Sequence, residues 1–91
     1  MYAALINLTI DPALAPAAAA VFSNDILPKL RAAPGIVVGY LLDPVDRQGL
    51  GFLLFETREQ ALSAAETATA WSAPGVTILK TEGRRVAAAV P

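Results

Sequence analysis

The sequence contains neither cysteine nor histidine, and only 16% of its residues are charged. These absences exclude disulfides, thiolate nucleophiles, histidine acid/base chemistry, histidine-ligated haem and ordinary zinc sites. Seven basic and eight acidic residues give a formal charge of −1, so little electrostatic attraction for phosphate or anionic lipid is expected. We therefore predict no cofactor, no metal, no nucleic-acid partner and no membrane partner.

Long apolar runs are also missing, although 55% of the 91 residues are hydrophobic. The longest apolar stretch falls far short of the ~20 residues that a transmembrane helix needs. Asn7, Thr9 and Asp11 interrupt the apolar start, which lacks basic residues, so no targeting signal and a cytoplasmic location are expected. The length predicts one domain, residues 1–91, whose apolar excess favours a partner chain or an enclosed cleft.

The apolar spacing predicts four strands and two helices in the order βαββαβ. Runs rich in β-branched residues indicate strands, and apolar stripes at i, i+3 and i+4 indicate helices. The predicted strands cover residues 2–10, 36–42, 50–56 and 76–90, and the predicted helices cover residues 13–33 and 57 to about 71–73. We also expect a helix kink at Pro28, a hairpin loop over residues 43–49 and a bend at Glu82-Gly83. Thr57 and Gln60 have the spacing of a helix capping box.

This order is that of a ferredoxin-like α+β sandwich, with one sheet and two helices. Strands two and three carry apolar residues on both sides, which are Val37, Val38, Leu41, Leu42, Leu50, Phe52, Leu53 and Phe55. The helices would cover one sheet face and leave a large apolar patch on the other. The sequence therefore predicts a homodimer in which two helix-free sheet faces pack together.

Segments along almost the whole chain resemble the dimeric α+β barrel superfamily, which includes antibiotic-biosynthesis monooxygenases and stress-response barrel domains. The resemblance is carried by residues 26–35, Gly39-Tyr40, residues 53–61 and residues 74–77. It implies a fold, a dimeric α+β barrel, more than an activity, because members include oxygenases, haem degraders and isomerases. Haem-degrading members use an asparagine near the end of strand one, a tryptophan and a ligating histidine. Asn7 stands at a comparable place, and the histidine has no counterpart here.

Asn7, Tyr40 and Trp71 are the candidate site residues. We expect each protomer to bind a small apolar or aromatic ligand in a cleft between the sheet and the helices. If strand one follows these relatives, Ala3, Leu5 and Asn7 point into this cleft, where the Asn7 amide would orient a carbonyl or phenol oxygen. Tyr40 would offer its phenol to the same cleft, and Trp71 would line the cleft mouth. Structural roles remain open: Asn7 bonding to backbone near the strand end, Tyr40 as an interface or core aromatic, and Trp71 packing a helix end onto the sheet.

Two functions are weighed equally. One is cofactor-independent oxygenation of an electron-rich aromatic substrate, with Asn7 and Tyr40 as catalytic residues. The other is a non-catalytic ligand-binding or structural dimer. A third alternative is an RNA-recognition module, because residues 49–55 resemble an RNP1 strand and residues 5–8 faintly resemble RNP2. Two expected base-stacking positions hold Ala4 and Leu50, however, so dimer packing explains Phe52 better.

Overall fold

A computed structural model describes residues 1–90 as a four-stranded antiparallel sheet with helices on one face. The strands are β1 (Tyr2–Ile10), β2 (Ile36–Val45), β3 (Gln48–Phe55) and β4 (Val76–Arg85), in the sheet order β2-β3-β1-β4. The helical elements are a 3-10 turn (Pro12–Leu14), α1 (Ala15–Val21), a π turn (Phe22–Ile26), α2 (Leu27–Arg31) and α3 (Arg58–Ala68). The predicted α+β order is confirmed, and it is consistent with a ferredoxin-like fold. Across residues 1–90, no helix has the length and apolarity needed to cross a bilayer.

The first helical segment runs from the 3-10 turn through α1 and the π turn to α2 without an intervening strand. Asp11 begins it, because its Oδ1 accepts a hydrogen bond from the backbone N–H of Ala13 at 2.9 Å. A π turn lies just before Pro28, the position at which a kink is predicted, and in it the N–H of Leu27 donates to the carbonyl of Phe22. This wider turn accommodates the Pro28 ring, which in a regular α-helix would clash with the carbonyl of Asn24.

The capping box at the start of α3 is confirmed. The backbone N–H of Gln60 donates to Thr57 Oγ1 at 3.3 Å, and the N–H of Thr57 donates to Gln60 Oε1 at 3.1 Å. Two otherwise unpaired amides are thereby satisfied. The helix ends at Ala68, earlier than predicted, and the N–H of Trp71 donates to the carbonyl of Ala68 in the turn that follows. Trp71 therefore lies in a loop instead of in the last helical turn.

The seven-residue hairpin loop predicted between strands two and three is wrong. Both strands extend through that segment, and only Asp46 and Arg47 form the turn, with φ values of 51° and 68°. Two consecutive positive φ values are those of the two-residue turn whose twist matches antiparallel strands. Pro44 is tolerated because β2 is an edge strand.

The bend expected at Glu82-Gly83 is also wrong. Gly83 pairs with Ala4 inside the ladder, which continues to Arg85. The irregularity lies instead beside Leu79, because the β1–β4 register shifts between Asn7 and Leu8. The strand ends at Arg85, so residues 86–90 lie outside the sheet.

The core lies between the sheet and α3. Its buried members are Ala4, Ile6, Leu8, Leu53, Phe55, Ala61, Ala65 and Ala68. Successive strand residues face opposite sides of a sheet, so the even-numbered residues of β1 face the helices and the odd-numbered residues face away. The three buried alanines of α3, Ala61, Ala65 and Ala68, have short side chains, which let the helix pack close to the sheet.

Candidate functional site

A cleft of about 590 Å³ opens between the first helical segment and α3, with the sheet beneath it. Apolar side chains form its floor and walls, namely Ile26, Leu30, Ala33, Phe55, Ala64 and Trp71. Polar side chains surround its mouth, including Asp25, Lys29, Glu59, Gln60, Ser63 and Thr67. An apolar interior with a few polar groups at the edge is typical of a small-molecule site.

Trp71 lines the cleft and packs against a second aromatic ring, Phe22, which lies outside the lining. Trp71, which follows α3, meets Phe22 of the π turn edge to face, with ring centroids 5.9 Å apart and planes at 89°. Aromatic rings favour this arrangement because the positive edge of one meets the negative face of the other. Both residues are half-buried and pack against the core. The pair holds the Trp71 indole at the cleft before any ligand arrives.

The α3 side of the cleft is polar. Glu59, Ser63 and Thr67 follow one another at intervals of four residues, so they share one face of the helix. On the opposite wall, Lys29 Nζ lies 3.1 Å from Asp25 Oδ1. Within residues 1–90, the Glu59 carboxylate has no ion-pair partner.

Asn7 does not reach this cleft. Ile6 and Leu8 are buried in the core under the helices, so Asn7 between them faces the opposite side of the sheet. There it pairs with Leu50 of β3 and Lys80 of β4. The predicted orientation of Ala3, Leu5 and Asn7 toward the helices is therefore wrong. The physical reason is that Ile6 and Leu8, with Ala4, supply the apolar side that packs beneath the helices.

Tyr40 also lies on the side of the sheet without helices. It stands opposite Phe52 in the β2–β3 ladder and is 59% exposed. The structure thus separates the three candidate residues: Trp71 lines the cleft, whereas Asn7 and Tyr40 lie on the far sheet face. Asn7 and Tyr40 are not neighbours there, because the partner of Tyr40 is Phe52 and that of Asn7 is Leu50.

We call this helix-free surface the open sheet face. Its apolar members are Ala3, Leu5, Val38, Tyr40, Leu42, Leu50, Phe52 and Leu54. Strand β4 borders them with charges, since Lys80 and Arg84 flank Glu82 at 3.9 Å and 3.3 Å. Ala4 is fully buried on the opposite side, so the base-stacking position expected there does not exist.

The sequence predicts a cleft between helices and sheet, but it does not identify most of the side chains that line it. Phe55 looks like any core residue of a strand, and Glu59 resembles a solvated helix charge. The available signal is the spacing of Glu59, Ser63 and Thr67, which places one polar side chain on each successive turn of α3. That pattern alone does not show whether the stripe faces solvent or a cavity.

No protein-family model matches the chain, and comparisons with curated proteins and with solved structures find no significant match. Function is therefore inferred from the cleft and the open sheet face themselves.

Proposed function

We propose that this protein is a ligand-binding homodimer. Each protomer binds one small apolar or aromatic molecule in the cleft, and two protomers pack through their open sheet faces. The cleft carries this proposal, because its volume of about 590 Å³ lies within the range of small-molecule sites, roughly 300–1,000 Å³. Phe22 packs against the Trp71 indole that lines the cleft, and this preorganisation lowers the entropy lost on binding.

Binding is better supported than catalysis. The two residues considered for catalysis, Asn7 and Tyr40, lie across the sheet from the cleft. Among the described residues, no polar or charged side chain is buried, so none has the dry environment that usually activates an acid, base or nucleophile. The hydroxyls of Ser63 and Thr67 remain for hydrogen bonding to a ligand.

The open sheet face supports the dimer. Tyr40 and Leu42 are 59% and 55% exposed, and their cross-strand neighbours, Phe52 and Leu50, are also apolar. Four strands of eight to ten residues, spaced about 4.8 Å apart, give a face of roughly 500–600 Å² in projection. Protruding side chains enlarge the accessible area toward the ~800 Å² per partner of a standard interface. A second copy fits because an apolar face packs well against an identical one.

Trp71 is the only tryptophan, so its indole emission reports on the cleft directly. We would titrate the protein with biphenylmethanol, a neutral aromatic probe, and expect a saturable change with one probe per protomer. Ala64→Phe should abolish the change, because Ala64 lines the cleft and phenylalanine would fill it. Ala19→Phe, at an exposed position of α1, is the matched control.

A second cleft variant separates occlusion from misfolding. Thr67→Tyr places bulk at an exposed position on the cleft mouth, so the fold should tolerate it. Circular dichroism establishes that each variant is folded. If folded wild-type protein shows no saturable change, or if both cleft variants bind as the wild type does, the proposal is wrong.

A further inference from the structure

The two sides of the cleft differ in chemistry. The floor and the Trp71 wall are apolar, whereas α3 presents Glu59, Ser63 and Thr67 on successive turns. Neither hydroxyl forms a side-chain hydrogen bond within the described part of the chain. A flat ligand lying on the floor would therefore meet unoccupied hydrogen-bonding groups along one edge.

The charges at the cleft mouth do not cancel. Asp25 and Lys29 form an ion pair at 3.1 Å and contribute no net charge. Glu59 is the remaining charged side chain of the lining, so the mouth carries a net charge of one negative unit. The positive end of the α3 dipole lies beside Glu59 and offsets part of that charge, so any resulting selectivity is moderate.

From this arrangement, and resting on the proposed function, we infer that the cleft selects flat apolar molecules that carry a protonated amine. The ring system packs on Phe55 and against Trp71, and the ammonium group lies toward Glu59. Ser63 and Thr67 accept hydrogen bonds from the same polar edge. A carboxylate in that position would be repelled by Glu59 and would lose its hydration without an opposite charge in return.

Three probes with one ring system test this inference: biphenylmethylamine, biphenylmethanol and biphenylcarboxylate. Dissociation constants come from Trp71 emission at neutral pH and low salt. The amine should bind most tightly and the carboxylate most weakly. Their dissociation constants should differ by a factor of about 3 to 10, as expected for a partly exposed charge. Added salt should reduce that ratio, because it screens charges at the cleft mouth.

Glu59→Gln removes the charge and keeps the shape of the side chain. In this variant the preference for the amine over the carboxylate should fall to one or below, because the positive end of the α3 dipole is then no longer offset by Glu59. Glu66→Gln is the matched control, because Glu66 is exposed on the same helix and lies outside the cleft lining. It should keep the wild-type ratio.

The outcomes distinguish this inference from the proposed function. If the alcohol binds but the amine and the carboxylate bind equally well, the cleft is a ligand site without charge selection and the inference is overturned. The same holds if Glu59→Gln leaves the ratio unchanged or if Glu66→Gln lowers it equally. If none of the three probes binds, the proposed function fails as well.

Discussion

Phe22 meets Trp71, which lines the cleft, edge to face with ring centroids 5.9 Å apart. Phe22 belongs to the π turn of the first helical segment, and Trp71 follows the end of α3. This contact links the first helical segment to the loop that follows α3. Its loss should therefore change both stability and the environment of the indole.

Phe22→Leu should lower the free energy of unfolding by about 1 kcal/mol, because the aromatic contact is lost while most of the apolar volume is kept. Urea denaturation followed by circular dichroism measures this change. The emission maximum of Trp71 should also move to longer wavelength as the indole becomes more exposed. The same exchange at Phe52, on the opposite sheet face, should leave that maximum in place. An unchanged emission spectrum in Phe22→Leu would contradict the role given to this pair.

Gly35 and Gln60 are coupled where α2 leads into the sheet. Gly35 has a φ of 75°, and a Cβ added there would collide with the side-chain amide of Gln60. Gly35→Ala should destabilise the protein by about 2 kcal/mol, through the left-handed backbone and through displacement of the Gln60 cap. Thermal or urea unfolding measures the loss.

A double-mutant cycle separates these two causes. Gln60→Ala removes the side chain with which the new Cβ collides. The double variant should therefore lose less free energy of unfolding than the sum of the losses in Gly35→Ala and Gln60→Ala. Gly75 is the control, because it has a similar φ of 71° but lies against Leu14 and Asp11 instead of Gln60. Gly75→Ala combined with Gln60→Ala should be additive. If the losses in Gly35→Ala and Gln60→Ala were also additive, the collision with Gln60 would make no contribution to the loss of stability.

The open sheet face should not bind single-stranded RNA at low-micromolar concentration. Tyr40 and Phe52 are adjacent aromatic side chains, but the position expected on β1 is the buried Ala4. Lys80 and Arg84 flank Glu82 and are partly neutralised by it, and the chain carries a formal charge of −1. Fluorescence anisotropy with a labelled oligonucleotide checks this prediction. Salt-sensitive binding that Tyr40→Ala removes would support the RNA-recognition alternative instead.

The elements could be predicted from sequence because local signals determine them. The Asp11-Pro12 start, the Thr57–Gln60 capping box and the Pro-Gly pair at residues 34–35 each act within a few residues. The predictions were wrong where one local sequence pattern is compatible with two different structures. Polar residues 43–49 suit either a loop or the exposed end of a hairpin, and two positive φ values at Asp46 and Arg47 produced the hairpin.

The site was harder to predict, because it depends on which side of β1 faces the helices. Both sides of that strand contain apolar residues: Leu5 on one side, Ile6 and Leu8 on the other. Ile6 and Leu8 fill the core, and this places Asn7 on the open sheet face. Because side chains alternate along a strand, an error of one residue in its orientation places every side chain on the wrong side of the sheet. The cleft itself depends on the separation of two helical segments, which no local pattern in the sequence specifies.

The protein should be a dimer at micromolar concentration, and charge on the open sheet face should separate the protomers. Tyr40 and Leu42 are exposed in the protomer, so Tyr40→Lys and Leu42→Lys should leave its fold intact. In a face-to-face dimer, each lysine would be buried without a partner charge, which strongly opposes association. Size-exclusion chromatography with light scattering should therefore give a dimer for the wild type and a monomer for these variants.

Val37→Lys is the matched control for this experiment. Val37 is 50% exposed on the same strand, but it lines a groove beside Leu27 and Leu30 of α2, on the helix side of the sheet. An added lysine there reaches solvent, so the control should remain a dimer with the wild-type mass. A wild-type monomer at micromolar concentration would overturn the dimer proposal. Dissociation by Val37→Lys together with intact Tyr40→Lys and Leu42→Lys dimers would instead move the interface to the helix side of β2.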